Sequence, residues 1–324
     1  MEAKMPADRE SQSSVPSHGQ VICTLIEGDY HLGLAALINS IVRGGFRGLF
    51  WIGYRGSLPP WTAQLNRCED GLFKVGDALL GFEEQKTQIH FGQYKSEFLS
   101  SIVDRGITTK SLWYFDPDIT VMCDWNFFEK WVRHGVCLCQ DDGYGFMPAR
   151  HPLRCAWIEL AREAGWGEPK NLLNQYFNSG FVGLDIGNRA LLERWLAAVR
   201  LARANGVKPD QFQKGSRTQT FYTVDQDAMN MAAMYSDVPL SPMGPEGMNF
   251  FHGGFVMHHS ITSPKPWRKD FLRAWFRGAP PTKAELHFLQ CLDGPVYPYS
   301  SRELKKMRRS AAIASRLGRF YRWV

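Results

Sequence analysis

The sequence predicts an α/β protein with a mostly parallel mixed sheet flanked by helices. Short apolar runs of strand length alternate with segments of helical periodicity. Glycines stop the helical segments, and several apolar runs end in polar or acidic turns that would share one sheet edge.

Residues 1–19 are polar and charged without an apolar block, so they are expected to be disordered and no signal peptide is visible. The stretch QVICTLIEGDYHLGLAALINSIVRGGFRGLFWIGY then reads strand, helix, strand. Val21–Ile26 is the first apolar run. Leu34, Leu37, Ile38, Ile41 and Val42 make one helical face, which Gly44-Gly45 ends, and Leu49–Ile52 is the second run. Parallel sheets of this kind bind ligands beyond the carboxyl ends of their strands, which places EGDY in a crevice.

The pattern repeats. SEFLSSIVDRG is a helix closed by Gly106, SLWYF a strand, and GVCLC a strand leading into the turn Asp141-Asp142-Gly143. QYFNSGFVGLDI precedes a helix whose stripe is Leu192, Trp195, Leu196 and Val199, with Gly206 at its end. The expected organisation is a domain over residues 20–290 followed by a basic amphipathic tail, 291–324.

Seven cysteines without a CxxC pair argue for a reducing compartment and against a disulfide framework. Cys137 and Cys139 read as buried small hydrophobes. No apolar run approaches the length that spans a bilayer, so the expectation is a cytoplasmic protein. The net charge of +6 is uneven: from Arg302 onward eight Lys or Arg face only Glu303, leaving a nearly neutral body. A neutral body argues against nucleic-acid binding, which needs a basic footprint on the folded domain.

Four segments carry candidate chemistry. In SLWYFDPDITV, Asp116-Pro117 suits a type I turn, yet Asp116 and Asp118 are two apart and can aim their oxygens at one point. In YTVDQDAMNMAAM, Thr223 and Gln226 form a capping-box pattern, and Asp225 and Asp227 suit a helix start. FFHGGFVMHHSITSPKPWRK combines His252, His258 and His259 with a rigid loop bearing Lys265. An imidazole and two carboxylates suit a manganese-like ion, with Lys265 as a point charge on phosphate. Asn178, Ser179 and Gly180 are either a turn or a polar rim for sugar hydroxyls.

Taken in order, TLIEGDYHLG, WYFDPDITV, YFNSGFVGLDI, VDQDAMN and HHSITSPKPW resemble the retaining nucleotide-sugar glycosyltransferases of family 8, the group of glycogenin and bacterial lipopolysaccharide galactosyltransferases. The resemblance spans roughly Val21–Trp267. It implies a GT-A (Rossmann-like) fold, a UDP-sugar donor and a manganese or similar divalent ion such as magnesium. Position by position, it implies Asp116, Asp118 and His259 as metal ligands and Lys265 on the diphosphate. It implies Tyr30 stacked on the base with Thr24 and Leu25 beside it, and Asn178 and Ser179 flanking the sugar. Asp225 and Gln226 fall beneath the reacting carbon, and Lys95 matches a basic residue upstream of the metal motif, at a longer spacing than usual. Pro117 replaces the usual small residue, Thr262 replaces a glycine, Glu27 replaces a common Asn or Asp, and the EGDY turn is one residue shorter.

The expected activity is retaining transfer of a hexose to a glycan, lipid-linked or protein hydroxyl. Gln226 is a poor nucleophile, which favours front-face attack over a covalent intermediate on Asp225. A metal-dependent phosphohydrolase would use the same ligands but leaves Tyr30 and Asn178 unexplained. The tail's cations alternate with apolar residues as in an interfacial helix, so the tail is expected to adsorb on an anionic membrane surface and hold the enzyme near a lipid-linked acceptor; a membrane-surface scaffold would use this tail alone.

Overall fold

The computed structural model describes residues 17–144, 146–213, 215–251 and 253–318. Its strands are β1 (His18–Glu27), β2 (Leu49–Arg55), β3 (Asn66–Arg67), β4 (Phe73–Val75), β5 (Ala78–Glu84), β6 (Thr108–Phe115), β7 (Ile119–Val121), β8 (Val136–Gln140), β9 (Phe177–Asp185), β10 (Leu240–Met243) and β11 (Met257–His259). Its α-helices are α1 (His31–Arg43), α2 (Phe91–Asp104), α3 (Trp125–Trp131), α4 (Pro152–Glu163), α5 (Ala190–Ala204), α6 (Val224–Tyr235), α7 (Phe271–Phe276), α8 (Lys283–Cys291) and α9 (Ser301–Leu317).

Nine strands form one mixed sheet in the order β10-β8-β9-β6-β1-β2-β5-β4-β3. Its centre, β6-β1-β2-β5, is parallel. The expectation of a mostly parallel sheet therefore holds for the centre, with one further parallel pair, β10–β8, at the far edge. β9 runs antiparallel between β6 and β8, and β4 and β3 add an antiparallel edge. An antiparallel β9 brings its N-terminal end beside the C-terminal end of β6, and Asp116 N donates to Gly180 O at 2.7 Å.

Strand alternation divides the core. Val21, Cys23 and Leu25 of β1 pack with Leu112 and Tyr114 against α2, α5 and α6; Ile22 and Ile26 pack with Trp113 and Phe115 against α1 and α3. Cys137 and Cys139 lie together in the second cluster and all seven cysteines are free, as expected of small hydrophobes. β1 begins at His18, before the apolar run, so residues 18 and 19 are strand rather than disordered; residues 1–16 lie outside the described residues. Leu192, Trp195 and Val199 of the α5 stripe are buried as the periodicity predicts, whereas Leu196 is only half-buried and Leu191, Ala198 and Ala202 complete the face; the helix ends before Gly206.

A third cluster joins Ala36 of α1 to Phe271, Phe288, Leu292, Leu304, Ala311 and Ala314. It crosses residue 291, so α9 packs on the same body as the preceding residues. Leu304, Ala311 and Ala314 of α9 are thus spent on protein contacts, Ile313 stays exposed, and residues 319–324 of the expected tail lie outside the described residues. Among the described residues no helix is long and apolar enough to cross a membrane.

Asn39 fastens this layer to the body. It is fully buried in α1, donates to Cys291 O and Val296 O at 2.9 and 2.8 Å, and accepts from Val296 N at 2.9 Å. Asn39→Ala would strand these backbone groups. The expected loss in urea-monitored unfolding is about 2–4 kcal/mol, since each orphaned buried group costs roughly 1–3 kcal/mol. Unchanged stability would show that the layer is held by apolar contact alone.

Candidate metal centre

Asp116 and Asp118 follow β6 and lead into β7. β7 pairs antiparallel with β11, with His259 opposite Ile119, and Ser260 N donates to Asp118 O at 3.0 Å. This short ladder brings three ligand groups from two distant segments into contact. Ligand atoms of Asp116, Asp118 and His259 all lie within 4.8 Å of one another. His259 Nε2 is 3.2 Å from Asp118 Oδ1 and 3.9 Å from Asp116 Oδ2. Adjacent ligands around a small octahedral cation stand about 3 Å apart, a spacing that the Asp118–His259 contact meets and the Asp116–His259 separation exceeds.

The surroundings are built to keep that space. A Cβ on Gly180 would fall 2.5 Å from His259 Cε1 and 2.9 Å from Asp116 Oδ2, so only glycine lets β9 pass behind the cluster. On the other side, a Cβ on Gly33 would fall 2.4 Å from Pro117 O. Pro117 is therefore seated against α1, which fixes the turn between the two carboxylates.

Two lysines balance the acids. Lys265 Nζ is 2.6 Å from Asp118 Oδ2 and also donates to Ser260 O. Burial alone would raise the Asp118 pKa, but His259 and Lys265 outweigh it and hold the carboxyl well below its usual range. Lys95, from the first turns of α2, is 5% exposed and lies 3.0 Å from Asp116 Oδ1 and 3.1 Å from Asp225 Oδ2. Burial opposes its charge, yet the two aspartates overcome this and raise its pKa. The long sequence spacing of Lys95 is immaterial because α2 packs across the end of β6.

A cleft of about 420 Å³ opens over the centre. Asp116, Asp118, His259, Lys95, Lys265, Tyr30, Leu25, Asn178, Ser179 and Gln226 all line it. Thr24 and Asp225 do not. Thr24 alternates away from Leu25, and its fully buried hydroxyl has no hydrogen-bond partner among the described residues. Asp225 lies behind the wall, where Oδ2 accepts from Ser179 Oγ at 2.6 Å as well as pairing with Lys95. Burial raises its pKa to about 6, with Lys95 and Ser179 limiting the rise.

The Thr223–Gln226 capping box does not form: Thr223 makes no side-chain cap, and Gln226 Oε1 accepts instead from Ser179 N at 3.2 Å. His258 points away from the cleft, toward Asn249 and the His287 ring 4.9 Å away. His252 lies outside the described residues. Tyr30 closes a 3-10 turn over Gly28–Tyr30; its ring meets Trp267 edge-on at 5.3 Å, with the Arg268 guanidinium 5.6 Å from its centre.

Sequence reasoning missed three contributors. Tyr114 OH donates to Asp116 Oδ1 at 3.0 Å; their spacing of two on one strand was the available signal. Asp141, read only as a turn, accepts from Asn178 Nδ2 at 2.7 Å and from Gly143 N. Phe212 joins His90 at the cleft rim from a loop without any motif.

Asp227 sits just below this layer and accepts from Tyr176 OH at 2.7 Å. Burial raises its pKa from 3.8 to about 7, against the bonds from Tyr176 and nearby backbone. A raised folded pKa contributes stability that is complete below about pH 4 and lost as pH rises through about 7. Asp227→Asn lacks this loss. Thermal melts should show the wild type falling relative to the variant between pH 4 and 8, by a few kcal/mol at 1.36 kcal/mol per pKa unit. Parallel curves would mean that Asp227 titrates normally.

No family model and no curated protein sequence matches this chain.

Proposed function

We propose that this protein is a divalent-metal-dependent, retaining glycosyltransferase of GT-A type that moves a hexose from a UDP-sugar to an acceptor hydroxyl on a glycan, lipid-linked or protein substrate. The observation that carries the reading is the convergence of Asp116, Asp118 and His259 in one cleft with Lys265, Tyr30, Asn178 and Ser179. A phosphohydrolase would need the acidic centre but not the polar and aromatic remainder of the cleft.

The donor set fits the ion. Two carboxylates and an imidazole converge around space kept by Gly180, and mixed oxygen and nitrogen ligands suit manganese. Bound there, manganese would supply Lewis-acid stabilisation of charge on a leaving diphosphate. Lys265 adds a second positive charge at the same place, and Tyr30 offers an aromatic wall for the base. Asn178 and Ser179 present polar groups where the sugar would lie.

Gln226 reaches the cleft and Asp225 does not, which favours front-face attack. An amide is a poor nucleophile, and a carboxylate 2% exposed and held by Lys95 and Ser179 has no open path to a sugar carbon. In this reading Asp225 is a positioning residue that fixes Ser179. The acceptor hydroxyl attacks on the face from which the diphosphate leaves, and the leaving phosphate takes its proton.

Incubation with manganese and a panel of UDP-sugars, assayed for transfer and for hydrolysis, tests the proposal. Hydrolysis without transfer to any acceptor would favour the phosphohydrolase. Asp118→Asn keeps the side-chain shape and removes its charge; turnover should fall about a hundredfold or more with the fold intact by circular dichroism. His259→Ala should match it, whereas His258→Ala should be milder. Wild-type turnover in folded Asp118→Asn would return the motif to an ordinary turn.

Tyr30→Ala should weaken UDP binding by roughly 1–3 kcal/mol while leaving manganese dependence unchanged. Calorimetry showing unaltered UDP affinity would instead make Tyr30 a packing partner of Trp267 alone.

A further inference from the structure

Each carboxylate of the metal centre is held through one of its two oxygens. Tyr114 OH donates to Asp116 Oδ1 at 3.0 Å, and Lys95 Nζ lies 3.0 Å from the same atom. The other oxygen, Oδ2, is turned toward His259 Nε2, 3.9 Å away. Asp118 follows the same plan. Lys265 Nζ takes Oδ2 at 2.6 Å, and Oδ1 lies 3.2 Å from His259 Nε2. One oxygen of each acid is thereby spent on the protein, and the other is turned toward the imidazole.

The groups that hold the two acids differ in freedom. Lys95 has three N–H donors and three acceptors: Asp116 Oδ1, Asp225 Oδ2 and Ser179 O, at 3.0, 3.1 and 3.1 Å. Tyr114 is buried on β6, with the Lys95 ammonium 4.9 Å from the centre of its ring. Packing on both sides keeps this pair where it stands. Lys265 spends two donors, on Asp118 and Ser260 O, and keeps a third for the cleft that it lines.

We infer that Tyr114 is a positioning residue of the metal centre: with Lys95 it fixes Oδ1 of Asp116 and leaves Oδ2 as the one oxygen that this carboxylate offers to a cation. A lysine contact alone leaves the carboxylate free to rotate about χ2, whereas two donors converging on Oδ1 oppose that rotation. Outer partners of this kind orient a ligand before the ion arrives. The inference rests on the metal-dependent reading given above. The fold also contains a control. Tyr176 OH donates to Asp227 Oδ1 at 2.7 Å, a buried tyrosine–aspartate bond of the same type whose members do not line the cleft.

Calorimetric titration of the full chain with manganese and with calcium, without nucleotide, tests it. The proteins are the wild type, Tyr114→Phe and Tyr176→Phe, each checked by circular dichroism. Tyr114→Phe keeps the ring and removes the hydroxyl. Its manganese affinity should fall about tenfold or more, as is usual when an outer partner of a metal ligand is lost. Calcium tolerates irregular coordination, so its affinity should fall less and the preference for manganese should narrow. Tyr176→Phe should leave both affinities within about twofold, as expected of a site that shares no partner with the centre. Unchanged manganese affinity in folded Tyr114→Phe would overturn the inference and leave the metal centre standing. So would an equal fall for both ions, or an equal loss in Tyr176→Phe, since either marks general loosening. A wild type that binds no manganese would instead overturn the metal-dependent reading itself.

Discussion

The candidate site is organised around a lysine that is almost out of water. Lys95 bridges Asp116 and Asp225, donates to Ser179 O and stands 4.9 Å from the centre of the Tyr114 ring. Removing one partner of a buried charge cluster costs several kcal/mol because the others remain desolvated and unpaired. Each neighbour is therefore constrained by the same charge. Asp116 must turn toward α2, Asp225 must sit at the start of α6, and β9 must present its Ser179 carbonyl between them. These demands place the ends of β6, α2, α6 and β9 at one point.

A second constraint comes from the backbone. The β7–β11 ladder is only three residue pairs long, yet it sets which histidine reaches the carboxylates. The loop after it is anchored from the C-terminal layer. Trp267 lies between Tyr30 and Phe288, and Lys269 pairs at 2.7 Å with Glu285, which is wholly buried in the α8 capping box. Lys265 therefore projects from a segment held at both ends. Such second-layer support is what keeps a charged group in place when a ligand competes for its partner.

The C-terminal segment carries a different lesson about reading amphipathic helices. Its alternating cations and apolar residues match an interfacial helix by composition, but the same pattern describes any helix that packs one side on a body and solvates the other. Leu304, Ala311 and Ala314 meet the core formed by α1, α7 and α8. What stays outward is mainly charge, with Ile313 the one exposed large apolar side chain of the helix among the described residues.

By itself the sequence determined the core strands β1, β2, β6, β8 and β9, the helices α1, α2 and α5, and the carboxylate pair. Strand-length apolar runs, helical stripes and glycine stops depend on local periodicity, and residues two apart on a strand must share a face, so Asp116 and Asp118 were legible as a possible convergent pair. Tertiary structure alone brought His259 beside that pair, because Asp-Pro suits a turn and a ligand set alike and β11 carries the histidine in from a distant segment. Strand register turns His259, which the motif resemblance had already picked, rather than His258 toward the carboxylates, and the fold gives Gln226 to Ser179 N rather than to a helix cap. It placed Lys95 between two acids despite its distance along the chain. It also inserted β9 antiparallel between the parallel centre and the parallel β8–β10 pair. The physical reason is common to all of these. Local patterns fix which way a side chain leaves its own element, but charge pairing and register are settled only when separate elements bury the same groups together.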